Sequence, residues 1–246
     1  MLGQPHRHFD IVASSNEVAR VWAQDGAPHG AVVTAGAQTV GRGRRGRSWS
    51  SPPGKGLYLS LILRPAPPTQ TSHFTILAAL ATARAVEQQT GLKTHTKWPN
   101  DILLHNRKIG GILSEAHLEQ GQLDFLVIGV GLNVNLENAE LPPRPLFPAS
   151  SLLLETNREW PIETLRQVWL SEMDELWRAY GAGAWGAACA EFERRCVGLG
   201  QSVRVVMENE TYQGVATGLD DDGILLVQTE SAMLRVVAGD VIFNDG

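Results

Sequence analysis

The sequence predicts an α+β protein, strands and helices followed by a small β-barrel. Three observations carry this. Two long strand candidates flank Gln120-Gly121 as a hairpin; apolar residues recur at helical spacing from Phe74 to Ala85 and again from Leu165 to Cys196; and from about Val197 the texture turns to short alternating strands. A chain of 246 residues admits one large domain and one small one. With 43% hydrophobic and 19% charged residues it belongs among ordinary globular proteins, away from compositions that stay disordered.

Taken in order, NEVARVWAQ (16–24) reads as a helix capped by Ser14, Ser15 or Asn16, and AVVTA (31–35) as a short strand. About twenty residues without periodicity then lead to the strand LYLSLILRP (57–65), and loops of that length are usually functional or disordered. Phe74, Leu77, Ala78, Ala81 and Ala85, with Ser72 before and Gly91 after, delimit an amphipathic helix. Strand candidates follow at KTHTKW (93–98), KIGGILSEAHLE (108–119) and QLDFLVIGVGLNVN (122–135). A proline-rich connector, LPPRPLFPAS (141–150), precedes two helices, one presenting Leu165, Val168, Trp169, Met173, Leu176 and Tyr180, the other Trp185, Ala188, Cys189, Phe192 and Cys196. The segments SVRVVM, TYQGVATGLD, GILLVQT and MLRVVAGDVIF, separated by turns such as Asn-Glu and Asp-Asp-Gly, complete the small barrel. A boundary near residue 195 divides 1–195 from 196–246.

Composition also narrows function. No window approaches the roughly 20 apolar residues of a membrane span, and the N-terminus lacks the apolar run of a signal peptide, so a cytoplasmic protein is expected. Cys189 and Cys196 lie seven apart, about 10 Å along a helix, too far for a disulfide. No metal-ligand spacing of Cys or His occurs, which gives no candidate metal residues.

Within a chain of net charge −5, the stretch GRGRRGR (41–47) sets four arginines among three glycines. Glycine lets backbone N–H groups approach a ligand, and arginine presents a planar fork to carboxylate or phosphate oxygens, so anion recognition is its natural chemistry. A solvated basic loop and an RNA-binding segment are competing readings. Basic residues do not cluster elsewhere, however, and the loop lies between two core strands. In KWPNDILLHNRKIGGILSE (97–115) the turn at Pro99-Asn100 puts Lys97 and Asp101 at a strand end, and Lys108 precedes paired glycines where a flat ligand can lie. Trp98 reads as a packing residue. In IGVGLNVN (128–135) Gly129, Gly131 and Asn133 share one face. A dinucleotide fingerprint fails there, because Val134 stands where a third glycine is needed and no helix follows.

The segments SSN (14–16), QTVGRGRRGRSW (38–49), GLYLSLILRP (56–65), KWPNDIL (97–103), RKIGGIL (107–113) and GVGLNVN (129–135), in this order, resemble the biotin protein ligases, and the final fifty residues resemble that family's SH3-like C-terminal domain. The resemblance implies a mixed sheet of the class II aminoacyl-tRNA synthetase and biotin ligase kind, with residues 1–195 catalytic. It also implies a two-step reaction: biotin and ATP, with Mg2+, give biotinyl-5′-AMP, and biotin then passes to a lysine of the biotin carboxyl carrier domain of a biotin-dependent carboxylase. Lipoate-protein ligases, of the same fold, are the nearest rival. Family members that repress transcription carry a helix-turn-helix domain ahead of the core; fewer than a dozen residues precede Phe9, so DNA binding is not expected. Ser15 stands where threonine is common and keeps the hydroxyl.

Carried over residue by residue, the resemblance places Ser14, Ser15 and Gln38 at the ureido head of biotin, with Gly111, Gly129 and Gly131 making room for its rings. Gly41, Arg42, Arg44 and Lys108 fall around its carboxylate and the α-phosphate, Arg47 and Lys97 at phosphates, and Trp49 and Asn133 at the adenine. The arginine loop is implied to be a lid, disordered when empty, that shields the adenylate. Lys108, Arg44 and Asp101 are the catalytic candidates, Asp101 either orienting or deprotonating the acceptor amine, or capping its turn. The sequence leaves a homodimer open.

Overall fold

The computed structural model describes residues 2–64, 70–142, 147–207, 210–237 and 239–243. Pro65, residues 143–146 of the connector and Asn209 of an expected turn lie outside the described residues. The first sheet has seven strands: β1 (His6–Val12), β2 (Val32–Gln38), β3 (Gly56–Leu63), β4 (His95–Lys97), β5 (Asp101–Leu104), β6 (Arg107–Glu119) and β7 (Gln122–Asn133), ordered β1-β2-β3-β7-β6-β5-β4. β1 and β2 run parallel across the helix α1 (Ser15–Gln24), and the other neighbours are antiparallel, which makes the sheet mixed. Gln120 and Gly121, both at positive φ, turn β6 into β7 as a tight hairpin. β1 and β5 were not read from the sequence.

Alternation along the strands assigns their two faces. Leu57, Leu59, Leu61 and Leu63 of β3 and Leu126, Ile128, Val130 and Leu132 of β7 enter the core with helix α2 (Thr71–Thr90). Ile62, Val33, Phe125 and Val127 meet Ala19, Trp22 and Ala23 of α1 on the opposite face. The short helix α3 (Leu152–Thr156) precedes α4 (Ile162–Gly181) and α5 (Trp185–Arg195). Instead of the amphipathic helix expected, α2 has 12 buried residues among its 20, because the sheet covers one side and α4 and α5 the other. Inside this layer the Trp169 indole donates to Thr82 Oγ1 at 2.9 Å.

The expected small barrel is built from a five-stranded antiparallel sheet, β8 (Ser202–Val206), β9 (Thr211–Leu219), β10 (Leu225–Gln228), β11 (Met233–Val236) and β12 (Asp240–Phe243), ordered β11-β10-β9-β8-β12. Val203, Val205, Ala216, Leu225, Val227, Val236 and Val241 are buried in a core continuous with the α2 layer. The turn between β9 and β10 joins the two units: Ser72 Oγ, Trp185 Nε1 and Trp98 Nε1 donate to the carbonyls of Asp222, Asp221 and Gly223 at 2.7, 2.6 and 3.1 Å. Trp98 is thus the buried packing residue expected. Cys189 and Cys196 are unbridged, and Cys196 ends α5 in an extended conformation. No helix of the described residues is long and apolar enough to cross a membrane.

Candidate active site

The face of the sheet that carries α1 is only partly covered by it. Beyond the N-terminus of α1 the strand registers align Ala35, Tyr58, Gly131, Gly111, Asp101 and Lys97 in one row across six strands, and Val33, Ser60, Gly129 and Leu113 in the next. Side chains opposite one another in a ladder share a face; Gly131, Gly111, Asp101, Lys97, Gly129 and Leu113 of these rows line a cleft of about 770 Å3, while Val33 packs under α1. Ser14, Ser15, Gln38, Arg42, Arg44, Arg47, Trp49, Lys97, Asp101, Lys108, Gly111, Gly129, Gly131 and Asn133 all line it. Gly41 lies just behind, where a Cβ would stand 2.3 Å from the Trp49 carbonyl.

At one end sits a polar network. The Ser15 N–H and hydroxyl donate to Gln38 Oε1 at 2.8 and 3.1 Å, Gln38 Nε2 donates to Ser51 Oγ at 2.9 Å, and the Ser60 hydroxyl reaches Asn16 Oδ1 at 2.6 Å and Ser15 Oγ at 2.8 Å. Asn16 Nδ2 in turn donates to Glu115 at 2.6 Å. Ser14 occupies the N-cap position of α1, yet its hydroxyl makes no capping bond and faces the cleft. Asn16, Ser51, Ser60, Glu115 and Asn100 had no role in the site as read from the sequence. Ser60 had a signal: a lone serine among the large apolar residues of the fully buried strand β3.

At the other end are the cations. A regular β5–β6 ladder would turn Lys108 to the far face, but the register slips between Ile102 and Leu103, sending Ile109 into the α2 core and Lys108 into the cleft. Its Nζ lies 2.5 Å from Asp101 Oδ1 and 5.5 Å from the Trp49 ring centroid. Lys97 is held below the usual lysine range, first by burial and further by neighbouring Lys108, with Asp101 opposing. Burial likewise lowers Arg44, which donates to Asn100 Oδ1 at 3.2 Å. Partly desolvated cations of this kind favour a bound anion, since no water competes.

The arginine loop folds back over the cleft. Arg42 and Ser48 form an antiparallel bridge, Gly43 N–H donates to Arg47 O at 2.7 Å and Trp49 N–H to Gly41 O at 2.9 Å, and Arg44–Gly46 makes a 3-10 turn between them. Arg42 pairs with Glu115 at 3.3 Å and Glu17 at 3.6 Å. The glycines face the protein's own side chains: a Cβ on Gly129 would stand 2.2 Å from Asn16 Oδ1, and one on Gly131 2.6 Å from the Trp49 ring. Of the paired glycines only Gly111 opens to the cleft; Gly110 faces the opposite side, towards Leu132. Asn133 Nδ2 donates to Ser150 O at 2.9 Å. The Trp49 indole N–H is buried without a partner, and such a donor costs about 1–3 kcal/mol unless an acceptor arrives.

The comparisons with known proteins agree on one family. The biotin/lipoate A/B protein ligase family model matches residues 9–133, and the biotin protein ligase C terminal domain model matches residues 198–244. Over 242 residues, 98% of the chain and 74% of the relative, the sequence is 34% identical to the bifunctional ligase/repressor BirA of Bacillus subtilis. It is 30% identical over 254 residues to the biotin--[acetyl-CoA-carboxylase] ligase of Mycobacterium tuberculosis, covering 98% of the chain and 90% of the relative. The structure of the biotin protein ligase from Aquifex aeolicus in complex with biotin and ATP superposes with a TM-score of 0.85 at 27% identity, covering 99% of this chain and 100% of that one.

Proposed function

The chain belongs to the biotin/lipoate A/B protein ligase family, and from that premise we infer a two-step ligation in the cleft: biotin and ATP give biotinyl-5′-AMP and pyrophosphate, and biotin then passes to a lysine of a biotin carboxyl carrier domain of a biotin-dependent carboxylase. One observation carries this reading. Five cationic side chains, Arg42, Arg44, Arg47, Lys97 and Lys108, line the same cleft as the glycine floor and the Ser15–Gln38 network. Residues 1–195 form the catalytic unit in this reading, and 196–246 the C-terminal one.

In the first step a biotin carboxylate oxygen attacks the α-phosphorus and pyrophosphate leaves with the electron pair of the broken P–O bond. Both reactants are anions, so fixed positive charge where they meet lowers the barrier. Lys108 and Arg44 are assigned to that meeting point, Arg42 and Gly41 to the biotin carboxylate, and Arg47 and Lys97 to the phosphates. Ser14, Ser15 and Gln38 are assigned to the ureido group, whose donors and carbonyl match amide and hydroxyl partners. Gly111, Gly129 and Gly131 keep the floor low, with Trp49 and Asn133 towards the adenine. In the second step the acceptor amine attacks the acyl carbon, AMP leaves, and the ammonium proton is lost; Asp101, held by Lys108 beside the reacting carbon in this reading, orients that amine.

Magnesium would enter with the nucleotide. Among the described residues no three His, Cys, Asp or Glu side chains gather to hold a metal, and the carboxylates lining the cleft, Asp101 and Asp240, are paired with cations. In this reading triphosphate oxygens and water would supply the ligands. The pairing of Arg42, Arg45 and Arg47 with carboxylates favours a folded lid over an RNA-binding arm. A substrate panel tests the function: purified protein with ATP and either biotin or lipoate, read by pyrophosphate release. Release with biotin is expected; release with lipoate alone would make the protein a lipoate ligase.

A further inference from the structure

We propose that the C-terminal sheet holds the arginine loop closed through Asp240, which makes Asp240 a positioning residue for the chemistry in the cleft. Three glycines in seven residues leave the loop many conformations, and its own backbone bonds span only Gly41 to Trp49. Something outside the loop must select the closed one. Arg45 sits at φ 56°, ψ 37°, the left-handed region that strains a residue with a Cβ. That turn aims its guanidinium at the C-terminal sheet, where Nη1 donates to Val206 O at 3.1 Å and to Asp240 Oδ2 at 3.2 Å. Arg47, two residues on, binds the other oxygen of the same carboxylate. One carboxylate thus engages two arginines, one through each oxygen.

The acceptors are fixed in place. Asp240 opens β12 and stands opposite Val206 of β8 in the ladder, so both partners of Arg45 belong to one rung. That sheet is tied to the body by the three carbonyls of the β9–β10 turn, and Val241 and Ile242, which follow Asp240, line the cleft themselves. A latch that favours the closed loop reduces the ordering that the ligands themselves must supply. The consequence for turnover rests on the ligase reading above; the latch itself does not.

Hydrogen exchange of the ligand-free protein therefore provides the test. In Asp240→Asn, which keeps size and loses charge, the amides of Gly43 and Trp49 should exchange about three- to tenfold faster, the range expected when two partly exposed ion pairs are lost, while β9 and β10 keep their protection. Arg45→Asn, a residue that tolerates the left-handed region, should do the same from the loop side, and Asp240→Glu should restore slow exchange. If Asp240→Asn loosens the whole C-terminal sheet, Arg45→Asn decides. Unchanged loop exchange in Arg45→Asn overturns the latch. In a second measurement, with biotin and ATP but no carrier, Asp240→Asn should release several-fold more biotinyl-AMP to solution than wild type; equal release removes its part in the reaction. A wild-type protein that makes no adenylate would refute the ligase reading and leave the exchange result standing.

Discussion

Replacing Gly129 with alanine should break the polar end of the cleft, and the size of the effect follows from geometry. Gly129 carries no positive φ, so alanine brings no backbone strain; the whole cost is steric. The new Cβ would stand 2.2 Å from Asn16 Oδ1, 2.8 Å from Cγ and 2.9 Å from Nδ2. Relief requires the amide to swing away, yet Asn16 is only 4% exposed and accepts from Ser60 at 2.6 Å while donating to Glu115 at 2.6 Å and Leu113 O at 3.3 Å. Losing these bonds, one of them to a carboxylate, costs about 3–5 kcal/mol at about 1 kcal/mol for each neutral bond and about 2 for the charged one. In a chain of this size that lowers the melting temperature by about 6–20 °C. The assay is a double-mutant cycle by thermal and urea unfolding. An Asn16→Ala background removes all three of these close contacts, so Gly129→Ala should cost under about 1 kcal/mol there. Equal cost in both backgrounds would refute the packing argument, as would a Gly129→Ala protein that melts like wild type.

Lys108→Ala should reduce biotin-dependent pyrophosphate release by at least about 10²-fold, the loss typical of a fixed charge at a transition state, with circular dichroism unchanged; wild-type release would remove Lys108 from the chemistry. Arg44→Gly should loosen the lid and let the adenylate escape, so that unrelated lysines become biotinylated; retention of the intermediate as tight as wild type would contradict the lid. Alkaline stability gives an independent check. Burial pushes the thiols of Cys189 and Cys196 up to about 11, above their unfolded value, so the stability they contribute is complete below about pH 9 and is lost as pH rises through 11. Melting temperatures across that window should fall less steeply in the Cys189→Ala/Cys196→Ala protein, and identical slopes would show that the thiols do not titrate as described.

Much of this was legible in the sequence where a local rule decides. The Gln120-Gly121 hairpin, the two long C-terminal helices and the shared face of Gly129, Gly131 and Asn133 follow from turn chemistry and strand period. What escaped depends on distant partners. β5 has only four residues and β1 is an edge strand of mostly polar residues, so neither shows a strong pattern alone. The bulge that turns Lys108 into the cleft exists only in the β5–β6 register. The burial of α2 on both sides depends on α4 and α5, which arrive much later in the chain. Asp240 lies 193 residues from Arg47, and no spacing rule joins them.

Isotope exchange between pyrophosphate and ATP, catalysed by the purified protein, examines the activation step without any acceptor. Labelled ATP should accumulate only when biotin is present, and substituting Lys108 should silence it; accumulation that ignores biotin, or none at all from a folded wild-type protein, would contradict the assignment of the cleft.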